Sequence, residues 1–318
     1  MPRPTVSDAP PDPLAGLRAL PAPPDPRASS LLRPRSAALA AGDTALVGLP
    51  YDGGIPTRPG ARFGPRAIRE ALSAFGAFDG ERDVDPVVDL GDVALPTMNG
   101  ADAHARIEQA ARAVFASGAR GIFLGGDHGC TGSVIRGLAG ARPGLRLGLI
   151  TIDAHLDVRE YADAASLSSG TPFRRALETE VLDGARVAMV GIRRFANSRH
   201  YLDWARERGI HLVSVDEVAA NGAAETARAA LEVATRGADA LYLSIDIDAA
   251  DAAFAPGVSA TGIGGLSARE MIGLVSTIAR HPKLIGADVM ELSPPYDQDA
   301  RTARLAARLV LELLAGRG

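Results

Sequence analysis

One cysteine, Cys130, stands in a chain of 318 residues, which excludes an intramolecular disulfide framework and a thiolate-built structural zinc cluster. No apolar run reaches the roughly 18 residues that a membrane-spanning helix needs. Charge of one sign is not gathered into blocks. The 34 basic and 38 acidic residues nearly cancel, which argues against a general surface for nucleic acid or anionic lipid and leaves a small molecule as the expected partner. A continuous apolar leader of the secretory kind is missing from the first residues, so the expected location is the cytoplasm. There is no internal repeat, and no linker-like stretch between residues 41 and 318.

What is present divides into two parts. Ten of the 22 prolines lie between Pro2 and Pro34, in runs such as "DAPPDPLAG", with no helical or strand period. Residues 1–40 read as a Pro/Ala-rich arm, flexible or in contact with another subunit. From residue 41 apolar strand candidates recur at 45–49, 87–90, 121–124, 147–152, 187–190, 212–215, 241–247 and 284–292, with helical patterns between many of them. In "ADAHARIEQAARAVFASG" Ile107, Ala110, Ala111, Val114 and Phe115 share one helical face and Gly118 is a stop. "TARLAARLVLELLAG" reads as a closing helix. Strands alternating with helices predict an α/β domain over 41–318 with a mainly parallel sheet covered on both faces.

Functional groups in such sheets collect beyond the carboxyl ends of the strands. "GIFLGG" runs into Asp127 and His128, "LGLITI" into Asp153, His155 and Asp157, and "LYLSI" into Asp246 and Asp248. Residues two apart on a strand point to one side, so the Asp-x-His-x-Asp triplet presents three metal-binding side chains together. Several carboxylates at one buried rim resist ionisation unless a cation compensates them. Oxygen donors with a few imidazoles suit manganese, magnesium or nickel. The donor count suggests two ions. His128, Asp153, Asp157 and Asp246 would hold or bridge one, and His155 and Asp248 would complete the other with bridges from Asp153 and Asp246, leaving room for an acidified water between ions about 3.5 to 4 Å apart.

The motifs "GGDHG", "DAHLD" and "SIDIDAADAAFAPG", in this order, resemble those of the ureohydrolase family, which includes arginase, agmatinase, guanidino-acid amidinohydrolases and formimidoylglutamase. The resemblance extends from residue 44 onward and includes "VGLPYDGGIPTRPGARFGPRAIREAL" and "VMELSPPYDQDARTARLAARLV". It implies a three-layer α/β/α arginase-type fold, hydrolysis of a C–N bond at an amidine-like carbon, a homo-oligomer (trimer or hexamer), and a pair of manganese ions, with nickel or another divalent ion as the alternative. The family's six metal positions fall on His128, Asp153, His155, Asp157, Asp246 and Asp248, all intact.

Within the family, agmatinase-like members have His before "GTPF". This chain reads "LSSGTPF" with Ser169 there, and serine cannot deliver a proton at neutral pH as imidazole does. "SSGTPF", "GIRRFANSRHYLDWARERGI" and "APGVSA" look like the formimidoylglutamase branch, which converts N-formimino-L-glutamate to L-glutamate and formamide in histidine breakdown. A guanidino-substrate amidinohydrolase that releases urea is the alternative. A two-carboxylate substrate calls for cationic partners. Of the arginines in suitable loops, namely Arg58, Arg62, Arg159, Arg174, Arg175, Arg193, Arg194 and Arg199, the expected substrate contacts are Arg159 and Arg193, joined by Ser169 and Asn197. Asp157 is expected to orient the attacking water and move its proton, and Glu291 to hold the amidinium. Gly129 departs from the hydroxyl residue that many members carry after the ligand His. His200 is a second candidate proton carrier, and Cys130 reads as a small buried core residue.

Overall fold

The computed structural model describes residues 25–161 and 167–316. Its centre is one sheet of nine strands: β1 (Leu32–Pro34), β2 (Thr44–Leu49), β3 (Val87–Asp92), β4 (Arg120–Gly125), β5 (Leu147–Ile152), β6 (Leu182–Ile192), β7 (His211–Ser214), β8 (Ala240–Asp246) and β9 (Leu284–Met290). The spatial order is β1-β3-β2-β4-β9-β8-β5-β6-β7, and every named pair is parallel.

The central strands are buried along their whole length, as expected for strands covered on both faces. Their side chains alternate between two cores. Ile122, Leu124, Ile150, Ile152, Leu243 and Ile245 belong to one, which also takes residues of the helices Gly64–Ala71, Ala223–Thr235, Ala268–Ala279 and Arg301–Ala315. Phe123, Leu147, Leu149 and Tyr242 belong to the other, against residues of Gly100–Ala116, Gly129–Ala141 and Pro172–Leu177. Helices on both faces of a parallel sheet make the three-layer α/β/α arrangement. No helix among the described residues is long and apolar enough to cross a membrane.

All eight strand candidates are strands, and the helix expected near residue 107 runs Gly100–Ala116, capped by the Asn99 side chain, with Gly118 at φ 81° just beyond it. The ninth strand was not anticipated. β1 lies within the proline-rich stretch and pairs with β3 at the sheet edge, while Ala28 and Leu31 just before it are buried in the core. These packed residues lie on the N-terminal side of the boundary expected at residue 41, and the edge tolerates Pro34, which there needs to donate no ladder hydrogen bond. Residues 1–24 of the expected arm lie outside the described residues.

Candidate metal centre and its pocket

The four adjacent strands β4, β9, β8 and β5 end on the same rim, and each delivers polar groups there. β4 leads to Asp127 and His128, β5 to Asp153, His155 and Asp157, β8 to Asp246 and Asp248, and β9 to Glu291. Local turn chemistry aims them. Asp153 Oδ1 accepts from the His155 backbone N–H at 2.7 Å, and Asp246 Oδ1 accepts from the Asp248 N–H at 2.8 Å. Each aspartate thus closes its own turn with one oxygen and leaves the other for the centre.

Those inward oxygens meet at His128. Its Nδ1 lies 3.2 Å from Asp153 Oδ2, 3.0 Å from Asp157 Oδ2 and 3.1 Å from Asp246 Oδ2, with all four side chains buried. A second group adjoins the first through Asp153: His155 Nδ1 is 3.1 Å from Asp248 Oδ2 and 3.7 Å from Asp153 Oδ1. The ligand atoms of His128, Asp153, Asp157 and Asp246 lie within 4.8 Å of one another, as do those of Asp153, His155 and Asp248. The two geometric groups therefore share Asp153 and not Asp246. His128 Nδ1, Asp153 Oδ2 and Asp248 Oδ1 are buried without a hydrogen-bond partner.

That donor set fits divalent cations. Oxygen and nitrogen ligands about 2.1 Å from an octahedral ion sit about 3 Å from one another, which is the spacing around His128 Nδ1. One ring nitrogen can offer at most one N–H to three carboxylates, whereas a cation among them answers all four groups. Without a cation, protons have to do this work. Burial, then the neighbouring Asp153, pushes the Asp157 carboxyl up to about 6, and burial with Asp248 and Asp153 raises Asp246 well above its ordinary value. Burial opposes the charged form of His155, but Asp248 and Asp153 overcome it and push the imidazole up to about 12.

The backbone is strained where the chemistry is expected. Asp157 and Glu291 have φ of 47° and 69°, the left-handed region that non-glycine residues seldom adopt. Both are held there by several bonds. The Asp157 carbonyl accepts from Phe173 N–H, and Val158 O accepts from Arg174 Nε at 2.9 Å. Glu291 Oε1 accepts from the His128 N–H at 2.7 Å and Oε2 from Ser259 Oγ. Burial, then the charge of Asp127, pushes the Glu291 carboxyl up to about 8.

A cavity of about 230 Å³ opens over this centre, lined by His155, Asp157, Asp246, Asp248 and Glu291 together with Thr57, Arg159, Tyr161, Ser169 and Ser259. Arg159 reaches its wall with its stem against Gly170. Ser169 lines it too, with its Oγ on the Gly54 carbonyl at 3.4 Å. The other expected contacts fall elsewhere. Asn197 spends both ends of its amide on the loop that carries His155 and Asp157, accepting from Leu156 N–H at 2.9 Å and donating to Ala154 O at 3.0 Å. Arg193 lies against Gly262 and approaches Asp248 O at 3.5 Å. Neither lines this cavity, but Asn197 lines a smaller adjoining one with His155, Asp157 and Arg159. Arg62 pairs with Asp52, Arg174 with Glu160, and Arg175 with Glu178, while Arg58 stacks on Tyr296. His200 is exposed and faces Tyr201. Cys130 is wholly buried.

Gly129 now has a steric reason. A Cβ there would come within 2.8 Å of Ser168 O and 2.9 Å of Asp127 Oδ1, so the segment before "GTPF" occupies the place of a side chain. Sequence reasoning also missed a polar chain behind the centre. His128 Nε2 lies 3.0 Å from Ser244 Oγ, and Asp288 accepts from Ser244 Oγ at 2.6 Å, Tyr242 Oη at 2.8 Å and Thr131 Oγ1 at 2.9 Å. Its only sequence signal is a hydroxyl and a carboxylate inside apolar strands, "LYLSID" and "LIGADVM".

Comparison with known proteins follows the same lines. The family model described as the arginase family matches residues 42–316. The chain is 40% identical to the formimidoylglutamase of Halobacterium salinarum over 279 residues, covering 86% of this chain and 88% of that one. It is 38% identical to the guanidinopropionase of Pseudomonas aeruginosa over 275 residues, 85% of each. Among solved structures, formimidoylglutamase from Bacillus subtilis superposes with a TM-score of 0.88 at 30% identity, covering 95% of this chain and 94% of that one. Formiminoglutamase from Trypanosoma cruzi with Mn2+ gives 0.82 at 29% identity, over 92% and 98%.

Proposed function

This chain belongs to the arginase family, and from that premise we propose that it is a metal-dependent hydrolase converting N-formimino-L-glutamate and water to L-glutamate and formamide. The observation that carries the reading is the convergence of buried carboxylates on His128 Nδ1, with the His155–Asp248 group beside it, under a pocket that contains Arg159. His128, Asp153, Asp157 and Asp246 would hold one ion. His155 and Asp248 would hold the second, with Asp153 common to the two groups. Manganese is the ion we propose, since oxygen donors and two imidazoles suit it and a T. cruzi relative was solved with Mn2+. When bound, two such ions supply Lewis acidity and bring a water to hydroxide near neutral pH.

The side chains then do the positioning and the proton transfer. Asp157 lines the cavity with its Oδ2 turned to the centre, so it orients the water, takes its proton and hands it to the departing glutamate nitrogen. The water oxygen adds to the formimino carbon, and the bond from that carbon to the glutamate nitrogen breaks. Glu291, held by His128 N–H and Ser259, offers its carboxyl oxygens to the amidinium before attack. Arg159 pairs with a substrate carboxylate at the pocket wall, and Ser169 offers a hydroxyl beside it.

The formimino substrate is favoured over a guanidino one by Ser169. No imidazole other than that of His155 lines the cavity among the described residues, so the proton carrier expected of a guanidine-cleaving relative has no counterpart there. A guanidino-acid amidinohydrolase is the second reading, supported by the similarity to guanidinopropionase. We further propose a cytoplasmic homo-oligomer, a trimer or hexamer, which light scattering on the purified protein would test. Incubating manganese-loaded protein with N-formimino-L-glutamate and quantifying glutamate, formamide and urea tests the activity; urea from a guanidino acid, with no formamide, would replace the first reading by the second.

A further inference from the structure

Asp288 stands in the middle of β9, fully buried, in a strand that is otherwise apolar. The sheet register sets it beside Ser244 of β8, and Gly286 leaves the room that the Tyr242 ring occupies: a Cβ there would lie 2.8 Å from the ring. Three hydroxyls, from Ser244, Tyr242 and Thr131, converge on this one carboxylate, and no arginine, lysine or histidine pairs with it among the described residues. A buried carboxylate met only by hydroxyls is costly for a fold to keep, and an apolar residue would fill the space. Its retention calls for a reason beyond packing.

Proton counting supplies one. Each hydroxyl carries a single proton. Ser244 gives its own to Asp288 Oδ1, so towards His128 Nε2 the Ser244 oxygen can only accept. His128 therefore carries its proton on Nε2 and turns the Nδ1 lone pair inward, to the point where Asp153, Asp157 and Asp246 converge. Hydrogen bonds of this kind fix the tautomer and orientation of ligating histidines.

We propose that Asp288 is a positioning residue for the metal centre: acting through Ser244, it sets the tautomer of His128 and thereby the cation affinity of the His128 position, without acting on the His155–Asp248 position. This rests on the reading of the site as a two-metal centre. An Asn at 288 has nearly the same shape but can donate to Ser244, which reverses the chain, turns the Ser244 proton towards Nε2 and puts the imidazole proton on Nδ1, facing the cation.

The test uses the full-length protein stripped of metal, as wild type, Asp288→Asn, Ser244→Ala and Tyr242→Phe. Each is titrated calorimetrically with Mn2+, and crystals grown at limiting Mn2+ give the occupancy of each position from anomalous scattering. Asp288→Asn and Ser244→Ala are expected to weaken the His128 position about 10- to 100-fold and to leave the other unchanged. Tyr242→Phe, which removes a hydroxyl from Asp288 but not the link to His128, should match wild type at both. Equal losses at the two positions, a Tyr242→Phe loss as large as that of Asp288→Asn, or wild-type binding in both Asp288→Asn and Ser244→Ala would overturn the proposal. Should Asp288→Asn fail to fold, Ser244→Ala carries the same comparison. Wild-type protein that binds no divalent ion would instead refute the two-metal reading itself.

Discussion

Removing divalent ions should lower the unfolding temperature by about 8 °C, and by more at alkaline than at acid pH. A cation that binds the fold and not the unfolded chain, present at about 100 times its dissociation constant, stabilises by about 2.7 kcal/mol at each site, or about 5.4 kcal/mol for two. Over 318 residues the unfolding entropy is about 0.7 kcal/mol/K, and the ratio gives the shift. The pH dependence follows from what replaces the ions. Burial, then Asp153, raises Asp157 to about 6; burial, chiefly, raises Asp127 to about 7; burial, then Asp127, raises Glu291 to about 8. A carboxyl raised in the fold contributes stability that is present below its unfolded value near 4 and is lost as pH climbs through the folded one. His155, raised to about 12 by Asp248 and Asp153 against the cost of burial, contributes stability that declines from about 6.5 upward, in the same direction. The contribution of these groups to the metal-free protein thus falls between about pH 4 and 8, and the increment supplied by the ions widens over that window. Scanning calorimetry of chelator-treated and manganese-loaded protein at several pH values measures it. An unchanged midpoint after chelation, or an increment that is largest at acid pH, would refute the reasoning.

Asp157→Asn, loaded at excess manganese because a carboxylate of the His128 group is lost, should show kcat lowered about 10²- to 10⁴-fold; full metal, by metal analysis, with near-normal turnover removes Asp157 from the proton path. Arg159→Ala should raise KM for the formimino substrate about tenfold with little change in kcat. A charge-assisted bond is worth about 1.5–3 kcal/mol, and the exposure of Arg159 puts it at the low end. A fall in kcat alone would contradict a carboxylate contact. His104 is buried on the helix Gly100–Ala116 with Nδ1 2.8 Å from Ser133 Oγ, and burial, then Arg136, lowers its pKa to about 4. Because the unfolded chain binds the proton first, wild type should lose about 3 kcal/mol relative to His104→Asn as pH falls from about 6.5 to 4. Parallel denaturant-unfolding curves for the two proteins across that range would dismiss this.

The clustering of His128, Asp153, His155, Asp157, Asp246 and Asp248 was legible because its signal is local. Period-two spacing puts Asp153, His155 and Asp157 on one side of a strand end, and the aspartates that close their own turns need no distant residue to aim them. Glu291 was legible for the same reason, as the polar residue ending an apolar strand. The backbone engagements of Asn197 and Arg193 were not legible, because their partners are groups of Ala154, Leu156 and Asp248 brought near only by the packing of three separate loops. Asp288 and Ser244 lie in strands whose apolar run hides them, and the register that joins them is a property of the sheet. The edge strand Leu32–Pro34 was obscured by Pro34 and the proline-rich run before it. Gly129 could be read as a departure but not explained, since the explanation is the Ser168 backbone lying across it.

The most direct measurement is a product assay on manganese-loaded protein, offered N-formimino-L-glutamate, agmatine, arginine and guanidinobutyrate in separate reactions, with glutamate, formamide and urea quantified and a metal-free control. The account predicts equal amounts of glutamate and formamide from the first substrate, none without metal, and no urea from the others. Urea from any guanidino substrate, or formamide released equally well by metal-free protein, would contradict it.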